Sequence, residues 1–152
     1  MTRLLVASLL TLLGCTAIAA EKPNFSGHWK MNAEKSDYGQ VPSPDTFTRT
    51  IEHTDSTISV TEEQTGPTAT PRSVRKMRTD GQTTVDNVNG GDVKLTATWE
   101  GNDLIATTTI DTFGVTFKDR MSLSADGNEL TSQVLVQSSQ GDFDLKIVIE
   151  RQ

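Results

Sequence analysis

The chain predicts an all-β fold: a single antiparallel up-and-down meander barrel of about 8–10 strands, set behind an N-terminal signal peptide. Three observations carry this. Apolar and polar residues alternate with period two from Phe25 onward, the mark of strands with one buried face. Turn signals then recur about 10 to 14 residues apart: Asp80-Gly81, Gly90-Gly91, Gly101-Asn102, Gly114, Asp126-Gly127 and Gly141. Threonine is abundant while leucine and alanine are scarce beyond the leader, and the apolar fraction of 34% suits strands buried on one side only. Short hairpins in series make a meander, and closing it removes exposed sheet edges. A two-sheet sandwich is the rival arrangement.

The leader comes first. Arg3 is a short positive region, residues 4–13 form an apolar run too short to span a bilayer, and Ala17-Ile18-Ala19 is a cleavage signal. Residues 1–20 are therefore expected to be a signal peptide and 21–152 one barrel domain. Leu12-Leu13-Gly14-Cys15 also resembles a bacterial lipobox, with Cys15 as the lipidated residue. Both outcomes stay open: a periplasmic or extracellular protein, or a lipoprotein anchored at the outer membrane. Cys15 is the only cysteine, so no disulfide forms within the chain and the core must supply the stability. The net charge of −6 argues against nucleic acid and anionic membrane surfaces as partners. No later apolar run is long enough to cross a membrane.

The first strand opens at Phe25-Ser26-Gly27-His28-Trp29-Lys30. Gly27 is unfavourable inside a strand unless another group approaches closely, and Trp29 is expected to plug the packed end of the barrel. His28 points the other way, to solvent. Residues 32–44 carry Gly39, Pro42 and Pro44 and read as an irregular flap bearing Tyr38. Strands follow at 46–53 and 57–63, then a polar loop at 64–71. Seven more are expected at 73–79, 83–88, 92–99, 104–112, 115–124, 130–137 and 143–150, for ten in all.

Phe-x-Gly-x-Trp-Lys at the head of a domain of this length resembles the first strand of the calycins, the lipocalins, fatty-acid-binding proteins and avidins. Ile149-Glu150-Arg151 resembles their final strand with its terminal arginine. The longer stretch from Phe25 to Lys30, with Asn32 and Glu34-Lys35-Ser36, is similar to exported bacterial proteins of lipocalin-like type. The resemblance covers the two ends; the middle matches in strand rhythm. It implies a barrel that takes a small, mainly apolar molecule inside. It also shows a departure. Fatty-acid-binding proteins hold a carboxylate with an Arg-x-Tyr pair on the last strand, and Ile147 and Ile149 occupy those positions here. Only Trp29 and Trp99 are available as tryptophan walls, too few for avidin-like binding.

Strand phase then names a lining. Phe47, Arg49, Ile51 and His53 share one face, and Val93, Leu95, Ala97 and Trp99 another. Phe117, Asp119 and Met121 are in phase, as are Phe143, Leu145 and Ile147. Ala97, Ala106, Thr108 and Ser132 are too small to fill a barrel of this strand number. The candidate ligand-binding residues are thus Phe47, Arg49, Ile51, Trp99, Phe117, Asp119, Met121, Phe143, Leu145 and Ile147, with Gly27 and Trp29 at the plug. Arg49 and Asp119 stand out, because a charge on an apolar face is costly unless paired. They neutralise each other across the barrel, or one holds a ligand's polar end, or a bulge turns each outward. His53, at a strand end, is expected to be solvated. Glu62 and Glu63 are assigned to the surface.

No catalytic signature is found. Two histidines and no mature cysteine make no zinc site, and the nucleophile-elbow, P-loop and zincin motifs are missing from the sequence. The chain is expected to be no enzyme and to need no metal or cofactor. The competing reading to a ligand carrier is a barrel packed solid, which meets a protein or envelope partner through its surface and the 36–44 flap.

Overall fold

The computed structural model describes residues 21–152, apart from 68 and 89. The expected signal peptide and Cys15 lie outside the described residues. Ten strands follow the predicted alternation: β1 (Gly27–Met31), β2 (Thr46–His53), β3 (Thr57–Thr65), β4 (Arg72–Arg78), β5 (Thr84–Val88), β6 (Gly91–Glu100), β7 (Asp103–Ile110), β8 (Val115–Leu123), β9 (Glu129–Gln137) and β10 (Phe143–Arg151). Each lies within about two residues of its expected span, as local alternation and turn chemistry allow. One 3₁₀ turn, Asp111–Phe113, joins β7 to β8 and ends on Gly114 in the left-handed conformation.

The strands form a single antiparallel sheet in the order β4-β3-β2-β1-β10-β9-β8-β7-β6-β5. The chain ends meet: Trp29 pairs with Arg151, Lys30 with Glu150 and Met31 with Ile149. The expected full closure is not reached. β4 and β5, neighbours in sequence, carry no hydrogen bonds to each other and leave a seam. The sheet manages these two edges by charge and length. Four of the seven residues of β4 are basic, and β5 is only five residues long, so neither edge invites a further strand.

One end of the barrel is packed. Trp29, Ile51, Ile58, Met77, Leu104 and Leu130 are all almost fully buried there. The Trp29 indole N–H donates to the Phe25 carbonyl at 3.1 Å, which satisfies its one polar atom. The Arg151 guanidinium lies 4.2 Å from the Trp29 ring centre and donates to the carbonyls of Ser26 (2.7 Å) and Gly127 (2.9 Å). Gly27 is the residue that permits this. Its φ is +148°, and a Cβ there would collide with the Arg151 guanidinium. The first and last strands are thereby locked through one tryptophan and one arginine.

His53 departs from expectation. It is half-buried, and its ring stacks with Phe25 and Trp99, each at 5.7 Å. Its Nδ1 accepts the Phe25 backbone N–H at 3.2 Å. Desolvation lowers its pKa, and nearby Asp55 opposes that only in part.

The flap after β1 takes over where that strand is too short for β10. Asn32 N donates to Val148 O at 2.8 Å, and Asp37 and Lys146 exchange backbone hydrogen bonds of 2.7 and 2.8 Å. The Ser36 hydroxyl donates to Asn32 O (2.7 Å) and accepts from Val148 N (3.0 Å). These contacts explain why Val148, out of phase with the inner face, is 1% exposed. They also fix Tyr38 over the open end, where its hydroxyl contacts the Met31 sulfur at 3.3 Å.

Candidate functional site: a cavity with charged groups in its wall

Between the packed end and the flap lies a cavity of about 660 Å³. Its volume is that of a site for a small organic molecule. Tyr38, Val41, Pro42 and Pro44 cover it from the flap. Its apolar wall includes Val93, Leu95, Phe117, Val134 and Leu145. Val74 of β4 and Asp86 of β5 also border it, although Val74 is 54% exposed. The cavity therefore reaches the β4–β5 seam, and the missing ladder there doubles as an opening.

Charged residues from four strands meet in the wall. Arg49 (β2) donates through Nε and Nη2 to Glu62 Oε1 (β3) at 2.9 and 2.6 Å. Arg75 (β4) donates to the same oxygen at 2.7 Å. Ser73 Oγ donates to Glu62 Oε2 at 3.3 Å. On the opposite side Arg49 Nη1 donates to Ser132 Oγ at 2.7 Å, and that hydroxyl donates to Asp119 Oδ2 (β8) at 3.3 Å. Arg49 Nη2 lies 3.9 Å from Asp119 Oδ2. The register explains the assembly: Arg49 sits opposite Glu62, and Glu62 opposite Ser73.

The two carboxylates fare differently. Burial by itself would raise the Glu62 pKa, but Arg75 and Arg49 outweigh it and hold the group at about 2. Burial also drives Asp119 upward, and here the cations at longer range do not offset it, so its pKa stays raised. Arg49 pays desolvation first, yet Glu62 and Asp119 leave its pKa above the usual value. The Tyr38 hydroxyl is pushed up to about 12, mainly by burial. Two buried side-chain atoms of this cluster, Arg75 Nε and Asp119 Oδ1, have no hydrogen-bond partner among the described residues.

The sequence-derived candidates separate into two groups. Phe47, Arg49, Phe117, Asp119, Leu145 and Ile147 border the cavity. Ile51 and Met121 lie in the packed core below it, 2% and 1% exposed. Trp99 is away from it too, stacked with Phe25 at 5.8 Å and with the Lys22 ammonium 5.6 Å from its ring centre. Phe143 is half-buried at the start of β10 and does not border the cavity. Gly27 and Trp29 sit at the packed end, as described above.

Arg49 and Asp119 both point inward, so neither is turned out by a bulge. The principal partner of Arg49 is Glu62 rather than Asp119, which corrects the assignment of Glu62 to the surface. Ile58, Val60 and Glu62 share one phase, as do Ser73, Arg75 and Met77. That alternation was the signal for both Glu62 and Arg75.

No sequence-family profile matches the chain, and no curated protein matches it by sequence. Solved structures match in fold. A secretory abundant heat soluble protein from Ramazzottius varieornatus has a TM-score of 0.63 at 13% identity, covering 84% of this chain and 95% of its own. The fluorescent protein UnaG has a TM-score of 0.59 at 18% identity, covering 84% and 97%. Fatty-acid-binding protein 1 of Echinococcus granulosus has a TM-score of 0.58 at 14% identity, covering 84% and 96%. At these identities the likeness is one of architecture: the chain has a calycin-like fold, a nearly closed up-and-down barrel of ten antiparallel strands.

Proposed function

We propose that this protein is an exported carrier that holds a small, mainly apolar molecule inside its barrel. The observation that carries the reading is the cavity of about 660 Å³, apolar over most of its wall and roofed by the flap. A barrel packed solid would bury side chains there instead. Export rests on the expected signal peptide at 1–20, with soluble release or anchoring through Cys15 decided by the peptidase that cleaves it. Among the described residues no helix is long and apolar enough to cross a membrane.

The test is native mass spectrometry of the protein purified from its own host, followed by extraction of what co-purifies and by titration with a fluorescent apolar dye. A stoichiometric small molecule, or saturable dye uptake displaced by lipid extracts, is the expected result. An empty protein that takes up no dye refutes the carrier reading. Mass analysis of the mature N-terminus settles the state of Cys15.

A further inference from the structure

We infer that Thr108 is a specificity-determining residue of the cavity: its hydroxyl selects ligands that carry an uncharged oxygen, a carbonyl or a hydroxyl, at the apolar wall formed by β6 to β8. This rests on the carrier reading and adds the ligand's chemical class.

Buried polar side chains in folded proteins almost always hold hydrogen bonds. Among the described residues the buried polar ones are Arg49, Glu62, Thr79, Thr108, Asp119 and Ser132. Arg49, Glu62, Ser132 and Asp119 are joined to one another. Thr79 donates to the Asp55 carbonyl at 3.4 Å. Outward-facing threonines pair across strands, Thr46 with Thr65 at 2.7 Å and Thr109 with Thr116 at 3.2 Å. Thr108 differs from all of these. It is 6% exposed and borders the cavity, and its hydroxyl has no hydrogen-bond partner among the described residues. Arg75 Nε and Asp119 Oδ1 are unpaired as well, but they are sealed from the surface. The Thr108 hydroxyl is not sealed, so a molecule in the cavity can reach it.

Strand phase aims it there. Leu104, Ala106 and Thr108 share the inward, buried phase of β7. Thr108 lies opposite Leu95 on β6 and Phe117 on β8, and both of these also line the cavity. A valine would fill the same space with no polar atom to satisfy, so the hydroxyl is the feature that needs a partner. It has one proton to give and lone pairs to share: it donates to a ligand carbonyl or accepts from a ligand hydroxyl. An ion placed between Leu95 and Phe117 would lose its water for a single hydroxyl, which does not offset the loss. Arg49 is held by Glu62 and Ser132, and the free oxygen of Asp119 is sealed, so neither offers such an ion a direct partner. The match is therefore to an uncharged oxygen.

The experiment is displacement of a bound apolar dye near neutral pH by 2-acetylnaphthalene and by 2-isopropenylnaphthalene. The two share one shape, with the carbonyl oxygen of the first replaced by CH₂ in the second. The ratio of their Kd values is compared between the unaltered protein, Thr108→Val and Thr108→Ser. In Thr108→Val the ratio should shift about fivefold against the ketone, the worth of one net hydrogen bond. In Thr108→Ser, which keeps the hydroxyl, it should stay within about twofold of the unaltered protein. Thr108→Ala also removes the hydroxyl and stands in if the valine variant does not fold. A threonine with only a structural role would change both affinities together and leave the ratio fixed. A shift below about twofold in the valine variant overturns the inference, as does a serine variant that loses the ketone as fully as valine does. A bound dye that neither naphthalene displaces overturns it as well. Failure of the dye to bind refutes the carrier reading itself.

Discussion

Replacing Glu62 by Gln removes the carboxylate that two arginines share. Its pKa drops from 4.5 to about 2 on folding. At roughly 1.4 kcal/mol per pH unit, that drop is worth about 3 kcal/mol of stability at neutral pH. Independent reasoning agrees, since breaking a buried ion pair by removing one partner costs about 3–5 kcal/mol. The sign follows from the direction of the drop. The folded-state value lies below the unfolded one, so the contribution is complete above the unfolded value and is lost as pH falls from 4.5 toward 2. The assay is urea denaturation of the unaltered protein and of Glu62→Gln, followed by circular dichroism. With a slope of about 2 kcal/mol per molar urea, the midpoint should fall by about 1.5 M at pH 7. The difference should shrink to less than about half by pH 3, because the lost interaction is then being lost in both proteins. Other acidic groups cancel in the comparison. A cost below about 1 kcal/mol at pH 7, or one that stays flat with pH, would refute the assignment of Glu62 as the hub of the cluster.

Four further measurements probe other parts of the structure. Tyr38 is the only tyrosine, so its phenolate absorbance titrates without interference; it should ionise near 12, and stability lent by its neutral form should be lost as pH rises from 10 toward 12. Gly27→Ala should destabilise the barrel by about 1–3 kcal/mol in thermal denaturation, through positive φ and collision with Arg151, whereas an exposed position such as Lys30→Ala should be near neutral. His53, followed by NMR, should titrate below 6.5 and quench Trp99 fluorescence as it protonates; a value above 6.5 would contradict its desolvation against Phe25 and Trp99. Hydrogen exchange should be fastest in β5 and along the free edge of β4, and slowest in the central β1–β10–β9 ladders; equal protection throughout would mean the seam closes in solution.

Much of the fold was legible in the chain. A strand shows its two faces in its own sequence, so the inward phase of Trp29 and Ile147 is legible in the alternation, whereas for Arg49 and Asp119 alternation left an inward position and a bulge turned outward both open. The Gly-containing turns marked nearly every strand boundary. The terminal arginine was visible, although its contact with Trp29 was not. Of the candidate lining, Phe47, Arg49, Phe117, Asp119, Leu145 and Ile147 border the cavity and the others do not. Ile51 and Met121 face inward below the cavity, and alternation carries no information about the position of a residue along the barrel axis.

What the sequence by itself determined was local: the number and span of the strands, their inner faces and the apolar character of the interior. What only the tertiary structure decided was non-local. Register set Arg49 opposite Glu62, sheet curvature brought Asp119 and Ser132 to the far side of the same guanidinium, and the β4–β5 seam left the ring open. The physical reason is that period two states which way a side chain faces, while its partner depends on how strands distant in sequence are staggered around the barrel.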